Sequence, residues 1–565
     1  MTNARAAAGV LPLFFYFFSG ACSSASLDAA GGYPGLGTGG GGSLACGSTA
    51  DCPSGLICNN GTCVSPADNE PPETKQAVAG PPPAATPHYI FTLDAADGLV
   101  VRVSFSDLSI EAIPIGGAPS VVEAQPNVDR AFVLNPGRSM LQVLDATNGG
   151  PTSLENVPFD RQQDVLNLSP DGAWAVASTD PDTEPDEGAE GIATVVQLQP
   201  PGGGMPVTYD RAVGYRVSNV FFRVVDGAAT SAVVVAKDSV SQIALAASGP
   251  PPLPPRLSLP ESAVADFGDR GVVATSDGHF ILIQSFTDPS ITVVDVDGWA
   301  ISQLSLSDIP TDLEVEPSGA VAVAVLRATA KVQLIDLPGD LADVDGGLPT
   351  PLDLGGFNAG QIALSPVDDP VTGPFGILFT NATDTNEIAR LDLNSGLVTP
   401  YPDALLKLVQ AVGISPNGKT AIIVHRPQAN PATTDPYELA VAEDTGFSMF
   451  DLGTAVAQLT RTNGVPISAF AFVPQGDAAA VALRDDTNLI YGVDSLDLTQ
   501  LIAQSFTLPS APEWLGGFPV QTGVSSPRRV FVTQIFAGGR ISFLNLDAET
   551  LETVTGFELN SQIDQ

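Results

Sequence analysis

One phrase returns along this chain from His88 to the C-terminus, and it limits the possible folds more than any other feature. It is a turn, a strand of small apolar residues, a polar turn, a second strand ending in Asp, and a further turn. It reads "LSPDGAWAVAST" at 168–179, "VEPSGAVAVAVLRATAKVQLIDLPG" at 315–339, "ISPNGKTAIIVHRP" at 414–427 and "FVPQGDAAAVALRDDTNLIYGVDSLD" at 472–497. Looser copies occupy 124–149, 274–298, 364–396 and 525–550, at a spacing of mostly about 45–55 residues. Ser-Pro-Asp-Gly and Ser-Pro-Asn-Gly are turn sequences, because Pro fixes φ and Gly admits positive φ. Runs such as "AVAVAV" and "VQLIDL" supply the small and β-branched residues of closely stacked strands. Each unit is therefore a meander of short strands with two apolar faces, and radial stacking of units is one way to cover both. No 3.6-residue pattern persists over even about 15 residues, which excludes a helical solenoid.

The phrase resembles the blade of YVTN and WD40-like β-propellers, in which S-P-D-G precedes the second strand and a D-x-x-G turn ends the third. The resemblance covers nearly all of 88–565 and implies an all-β propeller of four-stranded blades. About ten blade-like units can be counted, within a range of about eight to ten, and a single ring is expected. The first unit, "HYIFTLDAADGLVVRVSFSDLSIEAIPI", lacks a leading strand; the C-terminal "TVTGFELNSQ" is expected to supply it and close the ring.

The region before the repeat has a different character. Residues 1–21 carry one cation, Arg5, an apolar run from Ala6 to Phe18, and then small residues, the order of a secretory signal. The apolar run falls short of the roughly 20 residues that span a bilayer. Ser19-Gly20-Ala21 lead directly into Cys22, which resembles a bacterial lipoprotein signal, with Ser19 where the family prefers Leu. The resemblance implies a diacylglycerol on the Cys22 sulfur, and Ser23 after it implies the outer membrane of a Gram-negative bacterium, with the protein periplasmic or surface-exposed. Cys22 and the Gly-rich stretch up to 45 form a tether, and the seven-proline stretch 64–87 forms a stiffer spacer. Between them, 46–63 holds Cys46, Cys52, Cys58 and Cys63 in the spacing C-x5-C-x5-C-x4-C. An exported segment this short cannot bury enough surface to fold alone, so two disulfides are expected. Three connectivities are open; the crossed pairing, Cys46–Cys58 with Cys52–Cys63, is preferred. Zinc is the weaker alternative, because paired C-x2-C hooks are missing. The pattern also resembles small cysteine-rich knots that precede larger domains in bacterial surface proteins.

Sixty-three acids against 23 bases give a formal charge of −40, which opposes nucleic acid and anionic lipid surfaces as partners. The sequence offers little for catalysis. His88, His279 and His425 fall in three separate units, and the body has no cysteine. G-x-S-x-G, H-E-x-x-H and P-loop motifs are absent from the sequence. The loop "TDPDTEPDEGAE" at 179–190 carries Asp180, Asp182, Glu184, Asp186, Glu187 and Glu190, but lacks the order of an EF-hand and reads as a solvated loop. "DVDG" at 295–298 and "DVDGG" at 343–347 read as strand-ending turns, and Trp174, Trp299 and Trp514 are isolated. No cofactor, metal site or catalytic residue is indicated. The expectation is a lipid-anchored envelope protein whose propeller binds a protein or glycan partner. A lactonase-like propeller hydrolase and a structural part of a surface assembly are the alternatives.

Overall fold

A computed structural model describes residues 57–59 and 62–64 and, apart from short internal stretches, 83–556. Ten four-stranded antiparallel sheets follow one another in chain order, each a simple meander. Blades 1 to 5 are Ala84–Pro114, Val121–Pro158, Val165–Ala212, Val217–Ser258 and Gly271–Ser305; blades 6 to 10 are Asp312–Asp353, Gln361–Pro400, Leu408–Arg461, Ile467–Thr507 and Pro512–Thr555. First strands of successive blades touch, as Gly271–Ala274 meets Asp312–Val315, whereas last strands such as Ser153–Pro158 are largely exposed. First strands therefore line the axis and last strands form the rim. The all-β, four-stranded-blade architecture read from the sequence is the one observed, with ten blades.

The core is divided among the interfaces between blades. Alternate side chains of each strand face opposite neighbours. In blade 3, Trp174 and Val176 pack against blade 4, while Ala175 and Ala177 pack against blade 2. Every interface has its own apolar cluster, including the one joining the last blade to the first. There Ile90, Val101 and Val103 of blade 1 meet Phe531, Ile541, Phe543 and Val554 of blade 10. Phe518 packs on Phe105 with ring centroids 4.8 Å apart, and Arg529 Nη1 donates to the Phe105 carbonyl at 2.6 Å. These contacts close a single ring.

The closing device differs from the expected one. Blade 1 has its own first strand, Ala84–Ala85, paired to Phe91 and Ile90. These two residues lie inside the stretch read as spacer, so the propeller starts at 84 and not at 88. A two-residue strand of alanine between Pro83 and Pro87 offers no alternation to detect. Thr553–Thr555 of the supposed closing segment belong to the outer strand of blade 10, and 557–565 lie outside the described residues. Among the described residues no strand is shared between the two ends, and side chains close the ring.

The recurrent turn is a self-satisfied unit. Ser169 Oγ donates to Asp171 Oδ1 at 2.6 Å and accepts from the Trp174 amide, while Asp171 Oδ1 accepts from the Ala173 amide. Ser415 and Asn417 repeat the arrangement, as do Thr275 and Asp277. Gly278, with φ +68°, sits where a Cβ would run into the Phe222 carbonyl oxygen of blade 4, so only glycine fits. The same turns clamp neighbours: Asp171 Oδ2 accepts from the Ala229 amide of blade 4, and Arg223 of blade 4 pairs with Asp277 and Asp297 of blade 5.

Candidate binding face

Uniform meander topology gives the ring two distinct faces. The turns between first and second strands, and between third and fourth, share the lower face. The hairpins between second and third strands, and the loops joining blades, share the upper face. Since Ala84–Ala85 is a first strand, the chain enters the ring from the upper face beside the axis.

The histidines are structural and do not converge. On the lower face, His88 Nδ1 pairs with Asp129 of blade 2 at 2.7 Å. Also on that face, His279 stacks on Phe280 and lies 3.4 Å from Asp295 and 3.6 Å from Asp297. His425 is buried in blade 8, with Nδ1 against the Leu408 carbonyl and Nε2 against Ser448 Oγ. Burial pushes its pKa down to about 3, and the ring is neutral. Asp295 accepts from the Gly298 amide in the strand-ending turn read from the sequence. Of the acidic loop, Asp180 bonds Asp164 through its amide and Glu190 pairs with Arg256, while 182–189 lie outside the described residues. Trp174 is core. No group of three or more His, Cys, Asp or Glu is placed to hold a metal ion among the described residues. Cys22, Cys46 and Cys52 lie outside the described residues. Strands Ile57–Asn59 and Thr62–Val64 pair antiparallel, in a register that sets Cys58 opposite Cys63.

Other buried ionic groups serve the frame. Arg270 spans blades 4 and 5, donating to the carbonyls of Ala236, Lys237 and Ala263, and burial lowers its pKa to about 10. Lys407, also lowered by burial, donates Nζ to the carbonyls of Val441 and Asp444. That bond ties down the 427–445 insertion of blade 8, whose helix Pro436–Glu443 is capped by Asp435 accepting from the Tyr437 and Glu438 amides. Glu123, on the axial strand of blade 2, has no hydrogen bond or ion pair among the described residues, and burial raises its pKa to about 7. A cleft of about 240 Å³ lies between blades 9 and 10 toward the lower face, lined by Asp497, Gln504, Asp547 and Glu549. Arg528 crosses it to Asp477 and Asp547.

What distinguishes the upper face is its exposed aromatic side chains. The strongly exposed aromatics among the described residues, Phe286, Tyr437 and Phe536, all stand in its hairpins. Exposed aliphatic side chains occur toward both faces: Ile309, Leu406, Leu489, Ile490 and Ile535 toward the upper, and Ile110, Leu154, Met205, Val207, Val225, Leu253, Leu397, Val456 and Ile502 toward the lower. Sequence reasoning passed over these residues because each looks like the continuation of a strand. The available signal was an apolar residue inside a turn, as in "DDTNLI" and "QIFAGG".

No protein-family model matches the chain, and no curated protein matches it. Solved structures do, at low identity. Dihydro-heme d1 dehydrogenase NirN, in complex with DHE, is 15% identical over 70% of this chain and 78% of that one, with a TM-score of 0.36. A eukaryotic initiation factor is 11% identical over 74% and 96%, with a TM-score of 0.48. Apo AztD from Citrobacter koseri is 17% identical over 57% and 86%, with a TM-score of 0.34. At these identities the likeness is one of fold alone.

Proposed function

We propose that this chain is a cell-envelope lipoprotein whose propeller holds a protein or glycan partner on its upper face without transforming it. The observation that carries this reading is the placement of the exposed aromatics on one face of the ring. Photo-crosslinking in intact cells tests it. A crosslinker at Thr433, on the upper-face insertion, should trap a defined partner; one at Ser395, on the lower face, should not. Equal products from both positions, or none from Thr433, refute the reading.

The anchor and the cysteine module belong to the same proposal. Cys22, lipidated, tethers the protein to the outer membrane, and a fatty-acid analogue should label the wild type but not Cys22→Ala. Cys46, Cys52, Cys58 and Cys63 form two disulfides. Non-reducing peptide mapping distinguishes the three connectivities, and free thiols there would remove all of them.

A further inference from the structure

The upper-face hairpins of blades 9 and 10 are joined through the loop between the blades. Arg484 Nη1 donates to the Pro512 carbonyl, the Ile535 amide to the Ala511 carbonyl, and Arg540 Nη1 to Ser510 Oγ. Both hairpins thus flank the same loop, and on them Leu489 is 73% exposed, Ile535 50%, Ile490 48% and Phe536 42%. The charge there is net negative, with Asp485, Asp486 and Glu513 against Arg484 and Arg540. Arg484 is paired with Asp486, and Arg540 lies 3.9 Å from the Phe536 ring centroid. Asp485 accepts from the Thr487 and Asn488 amides and from Asn488 Nδ2, an arrangement that keeps it ionised, and Glu513 is exposed nearby.

We infer that this surface is the docking site for a protein segment that presents apolar side chains flanked by lysine or arginine. The inference rests on the proposed binding role and narrows its partner. Charge complementarity selects the occupant: apolar tips edged by carboxylates pair with an apolar contact edged by cations. The chain's own spacer is disfavoured, since 64–83 contributes Asp68, Glu70 and Glu73 against Lys75. An anionic bilayer is disfavoured for the same reason. A glycan would be held by stacking on aromatic faces, whereas three of the four tips here are aliphatic.

The test uses the full-length chain in detergent with three labelled 16-residue peptides: lysine and leucine, lysine and serine, and glutamate and leucine. The lysine–leucine peptide should bind at least about tenfold tighter than either other, and Leu489→Ser/Phe536→Ser should remove that advantage. Both residues are exposed, so the fold tolerates the change, and an unaltered circular dichroism melt confirms it. Equal binding of both lysine peptides, binding that survives the double substitution, or binding instead of neutral oligosaccharides or phosphatidylcholine vesicles overturns the inference. A Thr433 crosslink with no effect of the double substitution would defeat this assignment while leaving the broader reading intact.

Discussion

The interface between blades 10 and 1 differs from the other nine in one physical respect: no loop joins its two sides. Phe518 is its centre, 7% exposed, with ring centroids 4.8 Å from Phe105, 5.5 Å from Phe531 and 6.3 Å from Phe543. Truncation to alanine removes the ring and its partners' contacts, at a cost of about 3–5 kcal/mol. If a propeller of roughly 470 residues unfolds as one unit, its unfolding entropy is about 1 kcal/mol per kelvin, and Tm falls by only about 3–5 °C. The informative comparison is Phe450→Ala, which removes a fully buried ring from the interface of blades 7 and 8. The two changes cost similar energies in transfer and cavity formation. At the interface of blades 7 and 8 the connecting loop keeps the partners together. At the closing interface their reunion depends on the remaining nine contacts, as in a repeat array with a free end. Hydrogen exchange should therefore show Phe518→Ala loosening blades 1 and 10 first, with protection elsewhere near that of wild type. Phe450→Ala should lower protection without favouring the chain ends. Identical exchange patterns in the two variants, or a cost for Phe518→Ala below about 1 kcal/mol, would refute closure by side-chain packing.

Three further outcomes follow from particular residues. Glu123 titrates near 7 in the fold against 4.5 ordinarily, so its favourable contribution is full below 4.5 and is lost as pH rises through 7. Glu123→Gln should remove that slope, worth at most about 3 kcal/mol, in urea titrations at pH 5 and 8.5. Gly278→Ala should abolish folding or cost at least about 3 kcal/mol in the same assay, because the new Cβ meets the Phe222 carbonyl. Gly149→Ala, with φ +66° and open space, should cost about 1–2 kcal/mol, the left-handed strain alone. Lys407→Met should release the blade 8 insertion, seen as new proteolytic cleavage within 427–445 while the ring stays intact.

The residues that made the fold legible also explain why the site was not. Ser169, Asp171 and Gly172 are fixed by the turn's own hydrogen bonds, so the phrase they form reports blade construction and nothing about a ligand. Where a blade dispenses with that turn, the signal fades. Blade 4 is absent from the quoted copies because its first two strands, Val217–Val225 and Ala228–Ala236, join through Asp226-Gly227 with both residues at positive φ. That is a tight hairpin of a different chemistry. The first strand of blade 1 was missed because two alanines carry no alternation. The exposed tips Leu489 and Phe536 were invisible for the opposite reason. They are strand-like residues placed in turns, and only the topology shows that the turns share a face.

The same topology bears on how such a surface would be presented. First strands run from the upper to the lower face and last strands return, so residues 83 and 556 both lie at the upper face, one beside the axis and one at the rim. On the lipoprotein reading, the tether from Cys22 therefore joins the propeller on the face that carries Tyr437, Leu489 and Phe536, beside blade 10. A short link would press that face against the bilayer and bury it. A spacer read from the sequence would oppose this: its roughly 20 residues before Ala84, at about 3.1 Å each if extended, would reach about 60 Å. The −40 charge adds repulsion from anionic lipid. On that reading, a spacer of this length, if extended, would leave room beneath the ring for a partner held in the same membrane.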